Sequence, residues 1–179
     1  MKRLHALFFC LPFLVFSCNA PVQQYGFYFD ENMFMQEKQN WANTNETDYS
    51  FMYEFADVID PNLHVYATST VSSGKREVSF LTRAEYEERE KEESVTIRDD
   101  VELATINDVY KYIEEQKDSY KAEYDAGEYL YVNIEILYDD DFHYPRECTA
   151  TVIKNANDGT SATLGKQNGF SLYVKKFKK

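Results

Sequence analysis

The stretch Tyr49-Ser50-Phe51-Met52-Tyr53-Glu54-Phe55 constrains the fold more than any other, because an aromatic side chain falls on every second residue. Successive side chains of a strand point to opposite faces, so this segment presents one wholly aromatic face. Such a face has to be covered. Leu130, Val132, Ile134, Ile136 and Tyr138 repeat the same period, and Phe170, Leu172 and Val174 do so again near the end of the sequence. Leu63 to Val71 and Arg76 to Leu81 alternate on either side of Ser72-Ser73-Gly74-Lys75, the pattern of a hairpin. Arg146 to Ile153 pairs back on the 130–138 strand.

Two stretches carry the helical period instead. Asp30 is placed to cap a helix from about Glu31 to Ala42, with Phe34, Lys38 and Trp41 on one face and Met33 and Glu37 beside it. Thr105-Ile106-Asn107-Asp108 resembles a capping box, with Asp where Glu is usual. Ile106, Val109, Tyr110, Ile113, Tyr120 and Tyr124 follow at helical spacing until Ala126-Gly127. One helix cannot bury the aromatic face of six strands. The expected fold is therefore α+β, a single domain in the order α-β-β-β-α-β-β-β. An antiparallel sheet of about six strands is packed by both helices on one face, and its other face is more polar. The chain has no internal repeat and no second domain.

The N-terminal segment assigns an address. Lys2 and Arg3 precede an apolar run of about thirteen residues, Leu4 to Phe16, which is short of the ~18–20 that span a bilayer and is interrupted by Pro12. Val15-Phe16-Ser17-Cys18 then resembles the lipobox of bacterial lipoproteins, with Phe16 departing from the usual small or branched residue. A small residue before Cys18 admits the signal peptidase, and the Cys18 thiol accepts the lipid. The reading is a signal peptide over 1–17, lipidated Cys18 and a tether over 18–29, and the domain over 30–179. Two further readings stay open: ordinary secretion after Ala20, and a Cys18–Cys148 disulfide that requires Cys18 to escape lipidation. With two or three acyl chains, detachment becomes negligible. The expected place is the cell envelope, at the outer membrane or cell surface in preference to the inner membrane. Tyr25, Phe27, Tyr28 and Phe29 in the tether are expected to dock on their own domain in preference to the lipid interface.

The net charge of −12 becomes two charges more negative once Lys2 and Arg3 are removed. Nucleic acid is a poor partner for such a surface, because neutralising phosphates takes clustered Lys and Arg. The exception is Lys175, Lys176, Lys178 and Lys179 around Phe177, read as a solvated end flanking a last strand. Thr82 to Glu93 is crowded with Glu and Arg around Tyr86 and reads as an exposed helix or a charged insertion.

Several of these segments together resemble a domain of unknown function found in secreted and lipid-anchored bacterial proteins. The residues that carry the resemblance are Trp41 with Tyr49-Ser50-Phe51-Met52-Tyr53, then Thr105 to Ile113, then Ile136-Leu137-Tyr138-Asp139 leading to His143-Tyr144-Pro145, and finally Phe170 to Phe177. That family usually has Gly-Tyr-Pro after its Tyr-Asp pair; His143 stands here in place of the Gly, and one or two acidic residues are inserted. The resemblance implies no activity and no catalytic residues.

Catalytic patterns are weak. Asp139, Asp140, Asp141 and His143 form the one compact polar set, yet calcium needs six to eight oxygens around a loop that usually contains Gly. A solvated acidic loop is the simpler reading. His64 lies mid-strand, and Cys148 reads as a strand residue packed inward or beside the loop. No phosphate loop, nucleophile elbow or paired Cys for zinc is present, and no cofactor is implied. The favoured function is a non-enzymatic binding module held to a membrane through lipid on Cys18, whose sheet face or loops bind a protein or peptide; a sheet edge can also add a partner strand through backbone hydrogen bonds. The alternatives are an envelope hydrolase using the 139–143 loop and a structural or antigenic surface protein displaying the 82–93 insertion.

Overall fold

Along Tyr49–Ala56 the odd-numbered side chains are buried and the even-numbered ones only partly so, which is the period-two pattern realised residue by residue. In the computed structural model, which describes residues 25–56, 63–82, 84–85, 96–97, 99, 101–155 and 167–179, this segment is strand β2 of one sheet. Around it stand β1 (Gly26–Tyr28), α1 (Glu31–Thr44), β3 (Leu63–Ser72), β4 (Lys75–Phe80), β5 (Thr96–Ile97), α2 (Ile106–Asp125), β6 (Tyr129–Tyr138), β7 (Pro145–Lys154) and β8 (Gln167–Lys178). Seven strands lie in the order β1-β6-β7-β8-β2-β3-β4, and the two-residue β5 pairs with β3. The expected α+β class, both helices and the six expected strands are present.

Two short strands add to the expected six. β1 pairs parallel with β6 through Gly26↔Tyr131 to Tyr28↔Asn133, and β5 pairs parallel with β3. The sheet is thus mostly but not wholly antiparallel. Strands of three and two residues are too short to show a period. β1 also lies inside the stretch read as tether, so the packed structure reaches back to Gly26. Phe27 packs on Tyr124 of α2, and Phe29 packs on Phe34 of α1. The aromatic residues at these two positions dock on their own domain.

Both helices cover one face. Phe34 and Trp41 of α1 join Ile106, Val109, Tyr110 and Ile113 of α2 in a single core with the inward residues of β2, β3, β6, β7 and β8. Trp41 stands edge-on to Tyr49 at 5.4 Å and donates its indole N–H to Asn107 on α2 at 3.1 Å. Edge-to-face ring pairs of this kind add to the area they bury. The caps are as the sequence indicates: Asp30 accepts from Met33 N–H at 2.9 Å, and the Thr105 hydroxyl accepts from Asp108 N–H at 3.1 Å.

The lysine-rich end is part of the sheet. One extra residue of β8 is accommodated opposite Ser50–Met52, where Lys176 takes a φ of +53°. A bulge shifts the period by one residue. That shift lets Phe177 face the helices like Val174 before it, stacking on Tyr144 at 4.7 Å and on Tyr49 at 5.5 Å.

The segment leading into α2 is fastened by tyrosine hydroxyls from β2. Tyr53 donates to Val101 O at 2.8 Å and accepts from Leu103 N–H at 3.1 Å, while Tyr49 accepts from Ile106 N–H at 3.3 Å. Burial pushes the Tyr53 phenol from its ordinary 10.0 up to about 12, against the opposing pull of the Leu103 N–H. Tyr53 thus contributes stability that is complete below pH 10 and is lost as the pH rises through about 12. Tyr53→Phe should lower stability at neutral pH by about 1–3 kcal/mol, because a buried N–H loses its acceptor. It should also flatten the alkaline loss. Urea unfolding of both proteins across this range checks it; matching curves would refute this account of the hydroxyl.

Candidate functional site

The site begins where β1 ends. Asp30 caps α1 while Glu31 N–H donates to Phe29 O at 3.1 Å, so the chain leaves the sheet just after Tyr28. Only Tyr131, Val132 and Asn133 of β6 are therefore covered by β1. Among the described residues no strand pairs with Ile134 to Tyr138 on that side. An edge of this kind offers unpaired backbone donors and acceptors to another chain.

The open stretch forms the floor of a groove of about 820 Å³, whose far wall is the turn from Phe29 into the first residues of α1, including Asp30 and Met33. A second recess of about 460 Å³ continues it along Leu137 and Tyr138 to Glu37, Asp139, Asp140 and His143. Met33 and Leu137 border both; Leu137 is 51% exposed and Met33 45%. The two form one trough beside the edge. At the opposite side of the sheet, β4 exposes Lys75, Arg76 and Glu77, the charged decoration that discourages pairing.

His143 closes the far end of the trough. Its backbone φ is +60°, a left-handed conformation that glycine adopts freely and other residues at a cost. A glycine would adopt this conformation without that cost. The Asp139 carboxylate accepts from Asp141 N–H at 3.1 Å and Phe142 N–H at 2.9 Å, and Tyr110 Oη donates to His143 O. The His143 ring is held by Glu37 of α1, with Nδ1 at 2.8 Å from Oε2.

The expected hydrolytic set is only partly gathered. Tyr138, Asp139, Asp140 and His143 border the recess, but Asp141 does not. Asp139 is occupied in holding the loop, and His143 in its contact with Glu37. Among the described residues no group of three or more His, Cys, Asp or Glu is placed to hold a metal. Cys148 is fully buried on β7 and burial pushes its thiol up, the opposite of what activates a nucleophile. His64 stacks on Tyr66 in β3, its Nδ1 3.1 Å from the Tyr66 hydroxyl. Cys18 lies outside the described residues, as does most of the 82–93 insertion.

Met33 and Glu37 were visible beside the Phe34–Trp41 face, but nothing in the sequence linked Glu37 to a histidine 106 positions away. Tyr138, on the floor, is held above the ordinary phenol range first by burial, then by the neighbouring Cys148 thiol and the charges of Glu37 and Asp30. The floor of the trough is mostly apolar, with Glu135 on it, and Asp30, Glu31, Glu37, Asp139 and Asp140 stand around it.

His143→Ala removes the contact with Glu37 and keeps the strained φ, whereas His143→Gly removes both. The glycine variant should therefore be more stable than the alanine variant by about 1 kcal/mol. Urea unfolding measures the difference; equal midpoints would contradict the left-handed loop.

Compared with known proteins, the chain matches no family model, no curated protein and no solved structure.

Proposed function

We propose that this chain is a lipid-anchored lipoprotein of the bacterial envelope whose domain is a non-enzymatic binding module, and that the partner is an extended protein segment added beside β6. The open edge at Ile134–Tyr138 carries this reading. The contrast within one sheet supports it, since β4 exposes Lys75, Arg76 and Glu77, while the β6 edge is flanked by a groove that Phe29, Met33, Ile136 and Leu137 help to line. Main-chain hydrogen bonds supply affinity in strand addition, and pockets for alternate side chains supply specificity.

The address comes from the N-terminal signal features and Cys18. With β1 beginning at Gly26, the seven residues Asn19 to Tyr25 reach at most roughly 25 Å when fully extended. A lipid on Cys18 therefore keeps the trough close to the membrane, at the outer membrane or cell surface. The partner is an envelope or external protein, and neither nucleic acid nor a cofactor has a part.

A photo-reactive phenylalanine analogue placed at Leu137 should cross-link a partner in intact cells, while the same analogue at Lys75 on β4 should not. Cys18→Ala should release the protein from the membrane fraction and weaken the Leu137 adduct. No adduct, or equal adducts at both edges, would count against strand addition. Membrane retention of the Cys18→Ala protein would contradict the lipid anchor.

A further inference from the structure

We infer that the β6 trough selects a cationic extended segment, one in which lysine or arginine alternates with apolar residues. The inference rests on the strand-addition reading above and specifies its partner.

A strand laid beside Ile134–Tyr138 sends alternate side chains to the two faces of the sheet. On the helix side it meets Ile136, Tyr138 and Met33, an apolar strip beneath the start of α1. On the other side it meets Glu135 and Leu137, both exposed. Apolar residues fit the first set, whose rim also carries Asp30 and Glu31 at the start of α1, and a mixed, cationic set fits the second.

Charge decides which extended segment is favoured. Asp30, Glu31 and Glu135 border the near stretch, and Glu37, Asp139 and Asp140 the far one; among the described lining residues Arg146 is the one lysine or arginine, with His143 beside Glu37. Some of this charge is already met, since Lys117 lies 3.3 Å from Glu31 and His143 holds Glu37. Asp30 receives a backbone N–H, and Glu135 receives the Asn133 amide at 2.8 Å. Among the described residues, no lysine or arginine pairs with Asp30, Glu135 or Asp140. These three carboxylates span the length of the trough.

The same charges disfavour other occupants. A second copy meeting edge to edge would set Glu135 and its acidic neighbours against their own kind, in a chain already at −12. The chain's own lysine-rich end is held inside the sheet, where Lys175 pairs with Glu54 and Lys179 with Glu46.

The probes are three short capped peptides alternating Lys–Val, Thr–Val and Glu–Val, titrated into the full chain in non-ionic detergent. Affinity is measured by calorimetry, and the site by amide hydrogen exchange. The Lys–Val peptide should bind about tenfold more tightly than Thr–Val, with a gap that closes at high salt and in Glu135→Lys. New protection should fall on 134–138, and Glu–Val should bind more weakly than either. Thr–Val binding there as well as Lys–Val would overturn the cationic preference and leave strand addition standing. No peptide protecting 134–138 would overturn both. Lys–Val binding that protects other segments, or that ignores Glu135→Lys, would show diffuse charge attraction and overturn the inference.

Discussion

Everything in this fold answers to the aromatic face of its sheet, which two helices must cover from one side. α1 can reach Tyr49 and Phe177 with Trp41 only if the chain leaves the sheet early and crosses over it. Asp30 enforces that departure by capping the helix two residues after β1 ends. The open edge of β6 is a consequence of covering the core. A longer β1 would close the edge and remove the first turn of α1, including the residue before Phe34.

The same logic fixes the walls of the trough. One wall is the start of α1, locked by Phe34 against Tyr110 at 5.6 Å and by Lys38 against Glu114 at 3.0 Å. The far end is the 139–144 loop, tied to α2 through the Tyr110 hydroxyl and to α1 through Glu37. No buried side-chain nitrogen or oxygen among the described residues lacks a hydrogen-bond partner. Walls set in place before binding reduce the ordering cost that an added strand would otherwise impose.

Much of this was legible from the sequence because the governing signals are periodic. Tyr49 to Phe55, Leu130 to Tyr138 and the helical run from Ile106 carry their burial pattern openly, and Asp30 and Thr105 announce the helix starts. What escaped depends on pairing at a distance. Gly26–Tyr28 is too short for a period and is a strand only because Tyr131–Asn133 lies beside it. Phe177 sits off the Phe170–Leu172–Val174 alternation because Lys176 bulges. Glu37 and His143 meet only once α1 crosses above β6, and a histidine in a loop gives no hint of a positive φ.

The candidate site was legible in kind and not in place. The sheet face or its loops were the expected binding surface, with strand addition at an edge as one mode, and alternation cannot tell an edge strand from an interior one when both bury one face. Asp139 to His143 drew attention as a compact polar set, and its structural part is to close one end of the trough.

Native-state hydrogen exchange of the unliganded full chain, resolved at single amides, tests the open edge most directly. Among Ile134 to Tyr138, amides that point toward β7 should be strongly protected, and those that point away from it should exchange as freely as exposed backbone. Uniform protection along this stretch would mean that the edge is already covered, and the account built on it would be wrong.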